Sequence, residues 1–255
     1  MRLFHNPIST CSQKVRLVLA EKGLTYEDEV IDLQKGEQFA PEYMKLNPNG
    51  VVPTLEDNGN IMIESTLINE YLEDAYPEKS LAPVDPAQRH AMRHFCKRID
   101  DALHGACGIV TYAIGVRPML LMRPKEEVDA LINQIPDMAR RETRRAVVEL
   151  GVKAPAFLNA MEIHREVFDL ANDKLDNNQW LVGNGCSLAD CTLLPYVLRL
   201  DHLCMTNEIT ARPNLARWYE TMQARPSFDI AVTRWLPDAV VTAFRQAGEA
   251  VAKDI

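Results

Sequence analysis

Apolar and polar residues change period several times along the first eighty positions. Residues 1–5 (Met-Arg-Leu-Phe-His) fit a short strand, broken by Asn6-Pro7-Ile8. Over residues 12–22 the period lengthens. Val15, Leu17, Val18, Leu19 and Ala20 form an apolar face, and Lys14, Arg16, Glu21 and Lys22 a polar one, so a helix is expected, with Gly23 placed to end it. Residues 26–33 alternate enough for a second strand, and 38–46 are short, amphipathic and helical in period. Residues 52–56 and 60–63 predict two strands joined at Asp57-Asn58-Gly59, a hairpin signal of the Asn-Gly type. Ser65 is expected to cap a helix running through Ile68, Tyr71 and Leu72 to Tyr76. The order β-α-β-α-β-β-α predicts a small α/β layer.

Pro77, Pro83 and Pro86 fall within ten residues and mark a linker. Beyond it the period is helical almost throughout, with candidate helices over 87–115, 125–150, 155–175, 187–204, 213–224 and 237–252. The division expected is 1–78 as the α/β domain, 79–86 as linker and 87–255 as an all-helical domain. The stretch 116–155 carries Lys125-Glu126-Glu127, Arg140-Arg141-Glu142 and Arg144-Arg145, the pattern of a solvated helix.

Composition narrows the function without naming it. A chain of 255 residues, 47% hydrophobic and 25% charged, is globular in character. A formal charge of −8 argues against nucleic acid as the main partner, since phosphates call for a basic face. No apolar run approaches the roughly 20 residues of a membrane span, and Arg2 leads straight into Leu3-Phe4 without a leader, so a cytoplasmic location is expected. The six cysteines (11, 96, 107, 186, 191 and 204) include no C-x-x-C pair. Five of them read as small buried hydrophobes. His90 and His94 share a helix face but lack a third ligand, so no metal is expected.

Three short segments carry candidate chemistry. Ser9-Thr10-Cys11-Ser12 lies at a strand-to-helix turn, where the helix dipole stabilises an anion and hydroxyl or thiol donors can hold a bound thiolate and lower its pKa. The bland reading of the same residues is a helix cap. Pro53 is out of place in a strand that reads as central. Either the Val52–Pro53 bond is cis and turns the Val52 backbone toward a bound peptide, or an edge strand begins at Pro53. Glu64-Ser65 offers an acceptor for an ammonium and a helix start for a carboxylate, the two charges of an α-amino acid head.

In this order the segments resemble the glutathione transferase superfamily. Arg2-Leu3-Phe4, the helix ending Ala20-Glu21-Lys22-Gly23-Leu24, Val52-Pro53-Thr54-Leu55, Glu64-Ser65 and Glu70-Tyr71-Leu72-Glu73 are similar to its thioredoxin-like domain. Gly185-Cys186-Ser187-Leu188-Ala189-Asp190 resembles the family's capping box, and Pro213-Asn214-Leu215 with Trp218 and Arg225-Pro226-Ser227-Phe228 its usual ending.

The resemblance implies a thioredoxin-like α/β domain followed by an all-helical one, a homodimer, and glutathione as co-substrate. Carried over by position, Gln38 contacts the glycine carboxylate, Val52 pairs its backbone, Pro53 is cis, and Glu64 with Ser65 holds the γ-glutamyl head. Phe39 stands where many members keep a lysine.

Ser9-x-Cys11-Ser12 resembles the turn of zeta-class isomerases and tetrachlorohydroquinone dehalogenases, which makes Ser9 the activator and Cys11 an exchange residue. Bacterial β-etherases align a serine with Ser12, and Lys125-Glu126-Glu127 through Arg144-Arg145 is similar in length and character to their insertion. The implied reaction is attack of glutathione thiolate on an aromatic or other hydrophobic electrophile, with β-aryl ether cleavage and dehalogenation among its forms. That electrophile is expected between the domains against Phe95, Tyr112, Met119 and Met122, with helix 237–252 either covering it or packing elsewhere. The alternatives are thiol exchange or isomerisation at Cys11, and a non-catalytic glutathione-binding protein.

Overall fold

A computed structural model describes residues 1–135 and 137–253. The expected helix 125–150 spans Pro136, and the expected helical domain ends at Ile255; both of these residues lie outside the described ones. In the α/β layer, β1 is Arg2–His5, α1 Thr10–Lys22, β2 Glu27–Val30, α2 Pro41–Leu46, β3 Thr54–Asp57, β4 Asn60–Ile63 and α3 Ser65–Ala75. The strand order is β2-β1-β3-β4, with β1 parallel to β2 and the other pairs antiparallel. This is the small α/β layer the pattern predicts and the thioredoxin-like domain the resemblance implies. Leu3 and Leu55 pair across β1 and β3 and are fully buried. Asn58 and Gly59, both at positive φ, make the β3–β4 turn.

Several boundaries differ from the pattern. α1 begins at Thr10 because Ser9 caps it: its side-chain oxygen accepts the Ser12 N–H at 3.2 Å. Ser65 is the first helical residue of α3, and Glu64, at φ 69°, holds the cap position. β2 covers only four of the eight residues expected, all exposed at the sheet edge.

The helical half comprises α4 (Pro86–Arg98), α5 (His104–Thr111), α6 (Arg117–Leu120), α7 (Lys125–Asn133), α8 (Met138–Leu150), α9 (Pro155–Lys174), α10 (Leu188–His202), α11 (Asn207–Thr210), α12 (Pro213–Gln223), α13 (Pro226–Ala231) and α14 (Asp238–Val251). Two π-helical turns, Ile99–Leu103 and Tyr112–Val116, interrupt the helix expected over 87–115. Contacts group the chain into two compact units. The first holds residues 1–96, 177–195 and 217–237, and the second 97–176, 196–216 and the chain from 238 onward. Among the described residues no helix is long and apolar enough to cross a membrane, and no group of three metal-ligating side chains occurs. Cys96, Cys107 and Cys191 are buried as expected, whereas Cys186 and Cys204 are half-exposed.

Candidate active site

The site is built in the first unit around the start of α1. β1 delivers the chain to Asn6-Pro7-Ile8, and Ser9 then turns it into the helix. The Ser9 oxygen is spent as an acceptor in the cap, which leaves its O–H to donate. That O–H has no acceptor among the described residues. The first turn of α1 carries no acidic residue, so its dipole meets no compensating charge there. Cys11, half-exposed, is the second helical residue. Ser12 points the other way. It is fully buried, and its hydroxyl accepts the Asn6 N–H at 3.2 Å, so it presents no surface to a ligand.

The Val52 loop is held from below. The Tyr43 hydroxyl and the Asn47 amide both donate to the Val51 carbonyl, at 2.6 and 2.9 Å, and both reach Thr54 Oγ1. The Val52–Pro53 bond is cis, and the backbone N–H and C=O of Val52 have no partner among the described residues. Gly50 sits at φ 60°, and a Cβ there would meet the Phe39 ring at 2.9 Å. Phe39 thus packs over the loop, which brings the Glu37–Phe39 turn and Gln38 beside it. The Gln38 Oε1 atom is buried without a partner.

Two contacts join these pieces to α3. Lys14 Nζ donates to Thr66 Oγ1 at 2.8 Å, tying α1 to the start of α3. Asn49 Nδ2 reaches Glu64 Oε1 at 3.4 Å, tying the Val52 loop to the α3 cap. Glu64 is exposed; Ser65 is buried, with no hydrogen-bond partner for its hydroxyl among the described residues. Gln38, Val52, Pro53, Glu64 and Ser65 therefore lie on adjoining segments of the first unit, with Ser9 and Cys11 at the start of the helix that Lys14 ties to α3.

The residues expected against the electrophile fall in both units. Phe95, 1% exposed, is a core side chain of the first unit. Tyr112 and Met119 belong to the second unit; Tyr112 is half-buried under Arg144, and Met119 is exposed. Sequence reasoning missed Tyr43, Asn47 and Lys14. Tyr43 and Asn47, on a short helix and the loop after it, and Lys14, among the polar residues of α1, carry no pattern that separates a buried tie from a surface position.

An α/β layer that presents a hydroxyl donor at a helix start and an unpaired stretch of backbone has the groups to hold an anion and an extended peptide. Residues 3–80 match the family model for the glutathione S-transferase N-terminal domain, and residues 118–226 that for its C-terminal domain. The chain is 30% identical over 226 residues to Protein LigF of Sphingobium sp. (strain NBRC 103272 / SYK-6), covering 85% of this chain and 86% of that one. It is 30% identical over 241 residues to the tetrachloro-p-hydroquinone reductive dehalogenase of Sphingobium chlorophenolicum, covering 90% and 94%. The crystal structure of beta-etherase LigF from Sphingobium sp. strain SYK-6 matches with a TM-score of 0.81 at 28% identity, covering 90% of this chain and 97% of that one. The chain belongs to the glutathione S-transferase family. It is a glutathione transferase, with glutathione as its co-substrate.

Proposed function

We propose that the protein catalyses attack of glutathione thiolate on an aromatic electrophile, forming a C–S bond and releasing an aryloxide or halide. The names of its relatives, a beta-etherase and a reductive dehalogenase, support that choice of leaving group. In this reading Ser9 donates its O–H to the sulfur and Cys11 lines the same spot. Val52 pairs with the peptide backbone beside cis Pro53, Gln38 meets the glycine carboxylate, and Glu64 with Ser65 takes the γ-glutamyl head. Tyr112 and Met119 contact the electrophile, with Phe95 and Ser12 acting only as packing. Residues 1–78 form the glutathione domain, 79–86 the linker and 87–255 the electrophile domain. The enzyme works as a cytoplasmic homodimer, which sedimentation at twice the chain mass of 28.8 kDa tests.

The unspent Ser9 O–H at the unopposed start of α1 carries the reading. Hydrogen bonding to the charged form lowers a thiol pKa, which is about 8.5 when free. The test is the thiolate absorbance of bound glutathione across pH for the wild type and for Ser9→Ala, Cys11→Ala and Ser12→Ala. Ser9→Ala returns the pKa toward the free value and cuts kcat/KM by roughly 100-fold, while Cys11→Ala keeps a depressed pKa. An unshifted thiol in the wild type, or a shift that survives Ser9→Ala, overturns the assignment.

A further inference from the structure

Two glycines lie on the same side of α5. A Cβ added at Gly105 or Gly108 would meet nothing within 4 Å, so no neighbour in the fold demands either glycine. Each costs the helix roughly 1 kcal/mol against alanine. The helix is also bracketed by the two π turns, and such turns recur at functional sites. A cavity of about 340 Å³ opens over the bare backbone, walled by Ile109 and Val147 and by Arg140 and Arg144 of α8. That volume is within the range of small-ligand pockets. Every one of these residues belongs to the second unit.

The two arginines are the unusual part. They stand four apart on one helix face, where like charges repel. Neither has an acidic partner or a side-chain hydrogen bond among the described residues. Their neighbours are occupied: Arg141 donates to the Ile135 carbonyl, and Arg145 pairs with Asp129 and Glu142. In a chain of charge −8, arginines without an acid need a reason. Arg144 lies over the Tyr112 ring, its Cζ 3.1 Å from the centroid, which fixes the plane of the guanidinium. Burial, with the Arg140 charge beside it, lowers the Arg144 pKa to about 10, so the group is still cationic at neutral pH. A planar, partly desolvated fork of N–H donors with no acceptor matches a carboxylate. The Thr143 hydroxyl adds nothing, because it donates to the Ala139 carbonyl.

We infer that this cavity binds aromatic carboxylates. The ring lies on the Gly105–Gly108 backbone against Ile109 and Val147, and the carboxylate takes Arg140 and Arg144. A side chain at either glycine would occupy the place of the ring. Tyr112 beneath Arg144 is shared with the proposed electrophile contacts, but carboxylate binding here requires no glutathione.

The test uses benzoate as the probe, and benzamide as its uncharged counterpart, in calorimetric titrations of the full chain without glutathione. Saturable binding of benzoate is expected, weaker for benzamide by about tenfold or more. The double variant R140Q/R144Q loses a similar factor. Gly108→Leu loses binding with both arginines in place, and R144K, which keeps the charge but not the fork, falls between. Thermal unfolding shows that each variant is folded, and the benzoate–benzamide comparison needs no variant. Absence of saturable benzoate binding overturns the inference. So does equal affinity for the two probes, or for wild type and R140Q/R144Q. Arginine variants that alter sedimentation but not benzoate affinity give the cavity to a second copy of the chain, which overturns it as well.

Discussion

Arg16 is 1% exposed, and the protein surrounds its guanidinium with acceptors instead of a carboxylate. Its nitrogens donate to the carbonyls of Asn6, Pro7 and Ala231 and to His5 Nδ1, the last at 2.9 Å. An arginine can only donate, so Nδ1 must be bare and the imidazole neutral. Burial, followed by the Arg16 charge, lowers the His5 pKa from 6.5 to about 3. The unfolded chain therefore binds a proton that the folded chain refuses, and stability falls as pH drops from about 6.5 toward about 3. His5→Gln keeps an acceptor for Arg16 and removes the titration. Its unfolding free energy should fall less steeply over this window, the residual slope coming from His164 and His202, whose pKa values burial also lowers, to about 4 and about 3. An unchanged slope would show that His5 is not held neutral. At this scale the sequence marked Ser9, Val52 and Glu64 through their company, a turn, a proline and a helix start. It did not separate Ser9 from Ser12. Both are serines at one turn, and only the backbone path sends one hydroxyl outward and the other beneath Asn6.

The start of α10 shows how one carboxylate organises an element. Asp190 is fully buried, and its two oxygens accept four bonds: the Ser187 N–H and hydroxyl, the Leu181 N–H and the Trp218 indole N–H. The sequence showed Ser187 and Asp190 as a capping box. The structure makes Asp190 its centre, since the Ser187 hydroxyl donates to Asp190 instead of accepting from the helix. Asp190→Ala strands four buried donors, so a loss of about 3 kcal/mol or more is expected in denaturant unfolding. A loss under about 1 kcal/mol would mean that the loop and Trp218 find other acceptors. The hairpin turn was legible because Asn58-Gly59 suits positive φ at both positions. The π turns were not, since one extra residue per turn barely disturbs an apolar stripe. Gly115 in the second π turn is explained only by a distant element: a Cβ there would lie 2.8 Å from the Phe244 ring of α14.

On the scale of the whole molecule, the first unit is assembled from segments far apart in the chain, and buried carboxylates tie them. Glu21, near the end of α1, accepts from Arg225 through both its oxygens, at 2.6 and 2.7 Å, and from the Ser227 hydroxyl at 2.5 Å. Glu73 on α3 pairs with Lys22 at 2.7 Å and accepts from Ser80 and the Leu81 N–H. The sequence displayed Arg225-Pro226-Ser227 only as part of a familiar ending. A partner 204 residues away leaves no local period to read. Burial alone would raise the Glu21 carboxyl, but the bonds from Arg225 and Ser227 prevail and hold it below its ordinary 4.5. Glu73 behaves in the same way: burial raises it, and Lys22 and Ser80 bring it below 4.5. Depressed folded-state values mean stability that is complete above about 4.5 and lost as pH falls through the folded pKa, because only the unfolded chain protonates readily there. Acid thus weakens the fold in two stages, the buried histidines acting from about 6.5 downward and the carboxylate ties below about 4.5. Glu21→Gln separates the stages. At neutral pH it should cost about 1–3 kcal/mol, since Arg225 and Ser227 lose a charged acceptor, while the slope above about 4.5 stays as in wild type. Below that value the Gln variant should lose less further stability than wild type, because the group that protonates is gone. Parallel curves for the two proteins across the acid limb would show that the Arg225 tie does not set the response to acid.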